Sequence, residues 1–360
     1  MKKFFFIAAI ASAALVSCTK NEVTPVAFEQ EITFAAPVVG AQTKGAALTG
    51  TTFPEARDFK VYAEWFAGDY TAASGSAYID GEVCTLKYGN DYWNPSKAYY
   101  WPTGSNAGTL TFIAYSPATA PGSYDYVNGN GIVFTDYEVT TTVADQVDLL
   151  FSDKAYNKVY SATDEDHNAN HKYNGVDLCF RHALCDINFF AKTKEDYSAS
   201  TTITIKKIQM VNVAAKGTFD QGLADADGAV TNMDNQLWTV STVDTDYKAY
   251  TVYDDATGET LDHVNAKPLA TGGDLMLIPQ TMGNITAEGT IKVIVSYDIH
   301  SAGTTIPTTQ SIYLNTTGVG YPTQWLSGKR YNYTIIVGLN EIYFDPAVTD
   351  WVDVPVAPAI

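Results

Sequence analysis

The sequence predicts an all-β protein of two β-sandwich domains in tandem, and three observations carry that prediction. Apolar and polar residues alternate at period two over many short runs, the mark of strands with one buried face. Clusters of Gly, Asn and Asp separate the runs, as in Asn128-Gly129-Asn130-Gly131 and Thr271-Gly272-Gly273-Asp274, and such residues supply the backbone angles of tight turns. No long amphipathic helical stretch competes with them. The 360 residues suffice for about two domains, and 46% hydrophobic residues with 24 tyrosines supply the cores.

The chain opens on a basic Met1-Lys2-Lys3, followed by an apolar and small-residue run from Phe4 to Val16. A permanent membrane helix needs about 20 residues, so the run fits the shorter core of a secretory signal, about 7–15 residues. It ends in Leu15-Val16-Ser17-Cys18, which resembles a bacterial lipobox. Residues 1–17 are then a lipoprotein signal peptide, and Cys18 becomes the acylated first residue. The alternative is an ordinary signal peptide that stops near a cysteine. Two or three acyl chains hold far more firmly than one, at about 0.8 kcal/mol per buried methylene. Glu22 near Cys18 resembles signals that send lipoproteins to the outer face. No second apolar run is long enough to span a bilayer as a helix, so Cys18 would be the only attachment to outer-membrane lipid.

Loss of residues 1–17 removes Lys2 and Lys3 and no acid, leaving 20 basic against 40 acidic residues, a charge of −20. So acidic a chain repels phosphate backbones, and nucleic acid is excluded as an expected partner. Besides Cys18 there are Cys84, Cys179 and Cys185. With Leu178 to Phe190 read as one strand, Cys179 and Cys185 lie about 20 Å apart at ~3.3 Å per residue. That exceeds the roughly 7 Å a disulfide spans. All three read as small buried residues, with a pairing of Cys84 to one of the others left open.

Residues 18–44 form a leader: one short strand, Glu31-Ile-Thr-Phe34, then a small-residue stretch ending at Thr43-Lys44-Gly45. An N-terminal domain spans 45–172, where Leu110-Thr-Phe112-Ile-Ala114 reads as a half-buried strand. The polar segment from Ala162 to Asn174 marks the boundary. A C-terminal domain spans 173–360. There Thr202-Ile203-Thr-Ile205 is a short example of alternation. Ile291, Val293, Val295, Tyr297 and Ile299 form a longer one, as do Tyr331, Tyr333, Ile335, Val337 and Leu339.

Catalytic patterns are missing: there is no Gly-x-Ser-x-Gly elbow, Walker loop or His-Glu-x-x-His helix, so no catalytic residue, cofactor or enzymatic activity is expected. His167 and His171 have the spacing of metal ligands on one helix face, with Asp164, Glu165 and Asp166 nearby. Asn168, Asn170 and Asn174 oppose a helix there, and a solvated loop accounts for the composition, so no metal is expected. Asp225-Ala-Asp227-Gly228 is half of a calcium loop without the remaining ligands and reads as a turn. His182, among apolar residues, reads as a core or strand-edge histidine. Tyr92-Trp93, Tyr99-Tyr100-Trp101 and Trp65-Phe66 could stack sugars, although most such rings pack cores.

An ordered set of segments resembles the fimbrillin family, the Mfa-like and FimA-like type V pilins. It comprises Phe59-Lys-Val-Tyr-Ala63, Trp93 with Tyr99-Tyr-Trp-Pro102, Leu110-Thr-Phe-Ile-Ala-Tyr-Ser-Pro117, Val147-Asp-Leu-Leu-Phe151 and Leu178-Cys-Phe-Arg-His-Ala-Leu-Cys185. The later part supplies Ile208-Gln-Met-Val-Asn-Val213 with Gly217, Leu275-Met-Leu-Ile-Pro-Gln280, Trp325-Leu-Ser-Gly-Lys-Arg-Tyr-Asn-Tyr333 and Val348-Thr-Asp-Trp351.

The resemblance implies two transthyretin-like Greek-key β-sandwich domains and a structural subunit of a surface fimbria that supports adhesion. It implies export as an outer-membrane lipoprotein, removal of the leader by a trypsin-like surface protease, and polymerisation with other pilin subunits, like or unlike. A strand from a neighbour would fill the groove the leader leaves. Lys44, before Gly45, is the trypsin-type site; Arg57 is the second choice, shielded by the strand from Phe59. Cutting at Lys44 would discard Cys18 and the leader together, leaving 18 basic and 37 acidic residues, a charge of −19. The segment 348–360, with Val352, Val354 and Val356 in alternation, is the candidate donor strand; Pro355 and Pro358 cannot donate ladder hydrogen bonds, and a last edge strand of the second domain is the competing reading. A host surface ligand is a further partner. The alternative function is a surface lipoprotein that does not polymerise and binds a glycan or host protein.

Overall fold

The computed structural model describes residues 31–41, 49–70, 75–87, 92–124, 126, 131–160, 175–197, 200–222, 237–282, 290–314 and 322–351. Strands dominate them and form four sheets, as the all-β expectation requires. The first has nine strands, in the order Thr49–Thr52, Val38–Ala41, Cys179–His182, Leu150–Ser152, Thr109–Ser116, Phe59–Phe66, Ser76–Leu86 and Trp93–Pro95, with Ala155–Lys158 also paired to Thr109–Ser116.

Strand Phe59–Phe66 shows why this sheet is buried on both faces. Phe59, Val61 and Ala63 enter one core with Phe34, Phe112 and Phe180, while Tyr62 enters a second with Tyr115 and Phe134. Its neighbour Thr109–Ser116 is buried at every residue. The alternation at Leu110–Ala114 therefore does not mark a half-buried strand. Apolar layers cover both sides, and Thr111 is buried between them.

The later strands form two sheets that share a core. One runs Lys267–Pro268, Cys185–Thr193, Lys329–Val337, Ile342–Asp350, with Leu275–Leu277 beside Cys185–Thr193; the other runs Tyr247–Thr260, Thr201–Ala214, Lys292–Ser301, Thr304–Tyr313. Here the period-two reading holds. Ile291, Val293, Val295 and Tyr297 are buried, as are Tyr331, Tyr333, Ile335 and Val337, and both sets meet in one core. Leu339 lies past the end of its strand and is exposed. Buried Gln280 ties off the backbone: its Oε1 accepts from Ala214 N at 2.9 Å, and its Nε2 donates to Ala214 O at 3.0 Å and Ile278 O at 2.9 Å.

The fourth sheet joins the two halves of the chain. Gly122–Tyr124 and Ile132–Glu138 pair with Lys216–Asp220 and Trp238–Val240. Its rings continue the core of the first sheet: Phe134 lies 5.2 Å from Tyr115, and Phe219 lies 4.8 Å from Phe151. Burying each such ring stabilises the fold by about 1.5–3 kcal/mol.

The chain crosses between sheets at Ala183-Leu184. Leu178 to Phe190 is not one strand, because Cys179–His182 lies in the first sheet and Cys185–Thr193 in the second. Hydrogen bonds from distant segments fix the break. Trp238 Nε1 and Ser327 Oγ donate to Ala183 O at 2.7 and 2.8 Å, and Gly328 N donates to Leu184 O at 2.9 Å. Sheet membership thus changes between His182 and Cys185. The polar segment 162–174 lies outside the described residues. Cys84, Cys179 and Cys185 are free and buried, and burial pushes the Cys179 thiol up to about 12.

Candidate functional site

The first sheet closes on itself through one segment, residues 31–41. At its start Ile32 N donates to Tyr99 O at 2.7 Å, and Phe34 exchanges hydrogen bonds with Trp93 at 2.9 and 3.0 Å. On its other side Val176 N donates to Thr33 O at 2.8 Å, Ala35 N to Val176 O at 3.1 Å and Val38 N to Leu178 O at 3.1 Å. Farther on, Val38–Ala41 lies between Thr49–Thr52, antiparallel, and Cys179–His182, parallel. This stave bridges Trp93–Pro95 at one end of the sheet to the Val176–His182 segment and completes a ring of paired strands.

Its side chains fill the core inside the ring. Ile32 and Phe34 are fully buried. The Phe34 ring meets Phe59 and Phe112 edge-on, with centroids 5.5 and 5.6 Å away. Gly175 makes this approach possible: its φ is +86°, and a Cβ there would sit 2.4 Å from Ala35 N.

The strand expected at Glu31–Phe34 is three isolated bridges, Glu31 to Tyr100 and Phe34 to both Trp93 and Val176, and the leader's regular strand is Val38–Ala41. Composition hides it, since Gly40 and Ala41 have little strand preference; partners on both sides create it. Gly175 carries a faint signal of its own, since an isolated Gly before Val176-Asp-Leu178 fits a close backbone approach.

Ala41 and Thr49 are cross-strand partners, and Lys44 and Gly45 fall between them in sequence. Lys44, Gly45, Cys18, Val352, Val354, Val356, His167, His171, Asp225 and Asp227 lie outside the described residues. No group of three or more metal-ligating side chains occurs among the described residues, and no helix among them is long and apolar enough to cross a membrane. Arg57 is held in place: its Nη1 lies 3.5 Å from Asp148 Oδ2, and its carbonyl accepts from Trp93 Nε1 at 3.3 Å.

The last described residue converges on the same region. Trp351 stacks on buried His182, with centroids 3.9 Å apart and planes at 11°, and its N–H donates to Gly328 O at 3.0 Å. His182 Nδ1 lies 2.9 Å from Asp148 Oδ2. His182 is thus a core histidine, as read from its neighbours in sequence. Val39 of the stave and Trp351 line one cleft of about 290 Å³ with Arg57, Gln146, Asp148 and Met276.

The described residues thus form an all-β scaffold whose first sheet is completed by an N-terminal stave. The model of the fimbrillin-like family matches residues 46–351, and the chain belongs to that family. Membership supports a fimbrial-subunit role, with a place at the cell surface and association with other subunits. Among solved structures, a fimbrial protein from Bacteroides vulgatus ATCC 8482 shares 16% identity at a TM-score of 0.62, covering 89% of this chain and 100% of that one; this likeness concerns the fold. A fimbrilin from Porphyromonas gingivalis W83 overlaps more loosely, at 11% identity and a TM-score of 0.40, covering 90% of this chain and 98% of that one. No curated protein matches the chain.

Proposed function

We propose that the chain is exported as a lipoprotein held at the outer membrane through Cys18, is cut after Lys44 by a trypsin-like protease, and polymerises by donor-strand exchange. The observation that carries this reading is the stave. It is the piece whose loss turns a closed ring into a slot with two facing edges, Trp93 and Tyr99 on one side and Val176 to Phe180 on the other. Unpaired edges beside an empty apolar core are a strong template for another strand. The occupant must present apolar side chains two residues apart, as Ile32 and Phe34 do. Val352, Val354 and Val356 repeat at that spacing, and they follow Trp351, which stacks on His182. Cleavage after Lys44 would leave Thr49–Thr52 attached to pair with the incoming strand.

The test is a Lys44→Ala substitution in cells that make the fimbria, with electron microscopy and N-terminal sequencing of surface material. Parent fibres should begin at Gly45, and the variant should remain acylated at Cys18 without forming fibres. Abundant fibres from the variant would end the proposal.

A further inference from the structure

A pocket of about 600 Å³ opens between the end of strand Phe59–Phe66, the start of strand Ser76–Leu86 and the segment from Lys97 to Asn106. Its volume lies within the roughly 300–1,000 Å³ of small-molecule sites. Trp65, Tyr78, Tyr99 and Tyr100 supply aromatic walls, and Lys97, Thr103 and Asn106 supply polar groups beside them.

The rings are held in place. Trp65 Nε1 donates to Asn106 O at 3.2 Å, and Gly108 packs so closely that a Cβ there would lie 2.5 Å from that nitrogen. The Tyr78 hydroxyl donates to Tyr100 O. The Tyr99 hydroxyl donates to Glu82 Oε1 at 3.1 Å, while Glu82 Oε2 accepts from Ser96 Oγ at 2.5 Å. Tyr100, by contrast, is 39% exposed. The Trp65, Tyr78 and Tyr99 rings cost little entropy to use as a binding surface, because their positions are set before a ligand arrives.

Fixed aromatic faces next to hydroxyl, amide and ammonium groups match one ligand chemistry well. A sugar ring has a face of C–H bonds, whose partial positive charge suits the negative face of an aromatic ring, and a rim of hydroxyls that exchange hydrogen bonds. A nucleotide or polyphosphate would find one cation, Lys97, on a chain of net charge −18. An alkyl chain would leave the polar groups without partners. We infer that this pocket binds a saccharide, with sugar rings stacked on Trp65 and Tyr100 and hydroxyls bonded to Lys97, Thr103 and Asn106. Tyr99 and Tyr100 also pair with the stave at Ile32 and Glu31, so the binding test uses the full chain, and the inference does not rest on strand exchange.

The experiment is retention of the purified full chain on an array of immobilised neutral, sialylated and sulfated oligosaccharides, followed by titration of the best-retained glycan against tryptophan fluorescence. The parent should be retained, and Tyr100→Ala and Asn106→Ala should each weaken binding at least tenfold with an unchanged circular dichroism spectrum. Tyr343→Ala, at an equally exposed tyrosine (39%) in the second sandwich, should leave affinity unaltered. A parent retained by no glycan would overturn the inference. So would folded Tyr100→Ala and Asn106→Ala variants that bind as tightly as the parent.

Discussion

Replacing Phe34 by alanine tests whether the stave is a separable part of the first sheet. The ring is fully buried and packs edge-on against Phe59 and Phe112. Phe→Ala in a core costs about 3–5 kcal/mol, of which each aromatic pair accounts for about 0.5–1.5 kcal/mol. The backbone hydrogen bonds of Phe34 survive the change, so the loss falls on the stave's grip on the core. At about 1.4 kcal/mol per decade, the lower figure raises the equilibrium constant for stave detachment about 100-fold. Native-state hydrogen exchange reads it directly, since opening free energies differ among cooperative units. The reporters are the amides of Phe53, Trp93 and Val176, whose acceptors are Pro37 O, Phe34 O and Thr33 O. Controls in the second half are Thr193 N, bonded to Asp262 O, and Leu261 N, bonded to Ile203 O. The reporters should exchange about 100-fold faster while the controls hold their rates. Equal acceleration of reporters and controls would show that the stave opens only with the whole molecule. A change below about threefold would show that Phe34 does not hold it.

Two further predictions follow from neighbouring features. Gly175→Ala would place a Cβ 2.4 Å from Ala35 N at a φ of +86°, with about 1–3 kcal/mol of backbone strain; the Val176 amide should lose at least tenfold of its protection, and unchanged protection would contradict the close approach. Lys154 is buried, with Nζ 5.1 and 5.3 Å from the Tyr70 and Tyr124 ring centroids; burial lowers it from 10.5 to about 8, against the opposing pull of Glu64. Between pH 8 and 10.5 the folded state then holds fewer protons than the unfolded one, so stability rises with pH through that window, by up to about 1.4 kcal/mol per unit. Urea midpoints should show the parent gaining on Lys154→Met between pH 8 and 10, and parallel curves would be the contrary result.

Much of the fold was legible in the chain because alternation is a local property. Ile291 to Tyr297 and Tyr331 to Ile335 alternate buried with half-buried residues, so their periodicity survives into the structure. Thr109–Ser116 and Val38–Ala41 depart from what their periodicity and composition predict, for opposite reasons. The first is covered on both faces, so its two threonines do not report exposure. The second is a strand because Thr49–Thr52 and Cys179–His182 flank it, and small residues carry no sign of that. The Ala183-Leu184 crossover is likewise set by donors from Trp238, Ser327 and Gly328, which lie far along the chain.

The sequence by itself determined the all-β class and the family resemblance. These rest on composition, short periodicities and ordered motifs, which need no knowledge of what lies beside them. The tertiary structure decided that residues 31–41 close the first sheet, that Gly175 admits them, and that Trp65, Tyr78, Tyr99 and Tyr100 wall one pocket. Those relations join segments tens of residues apart, and only packing and hydrogen bonding across that distance bring them into contact.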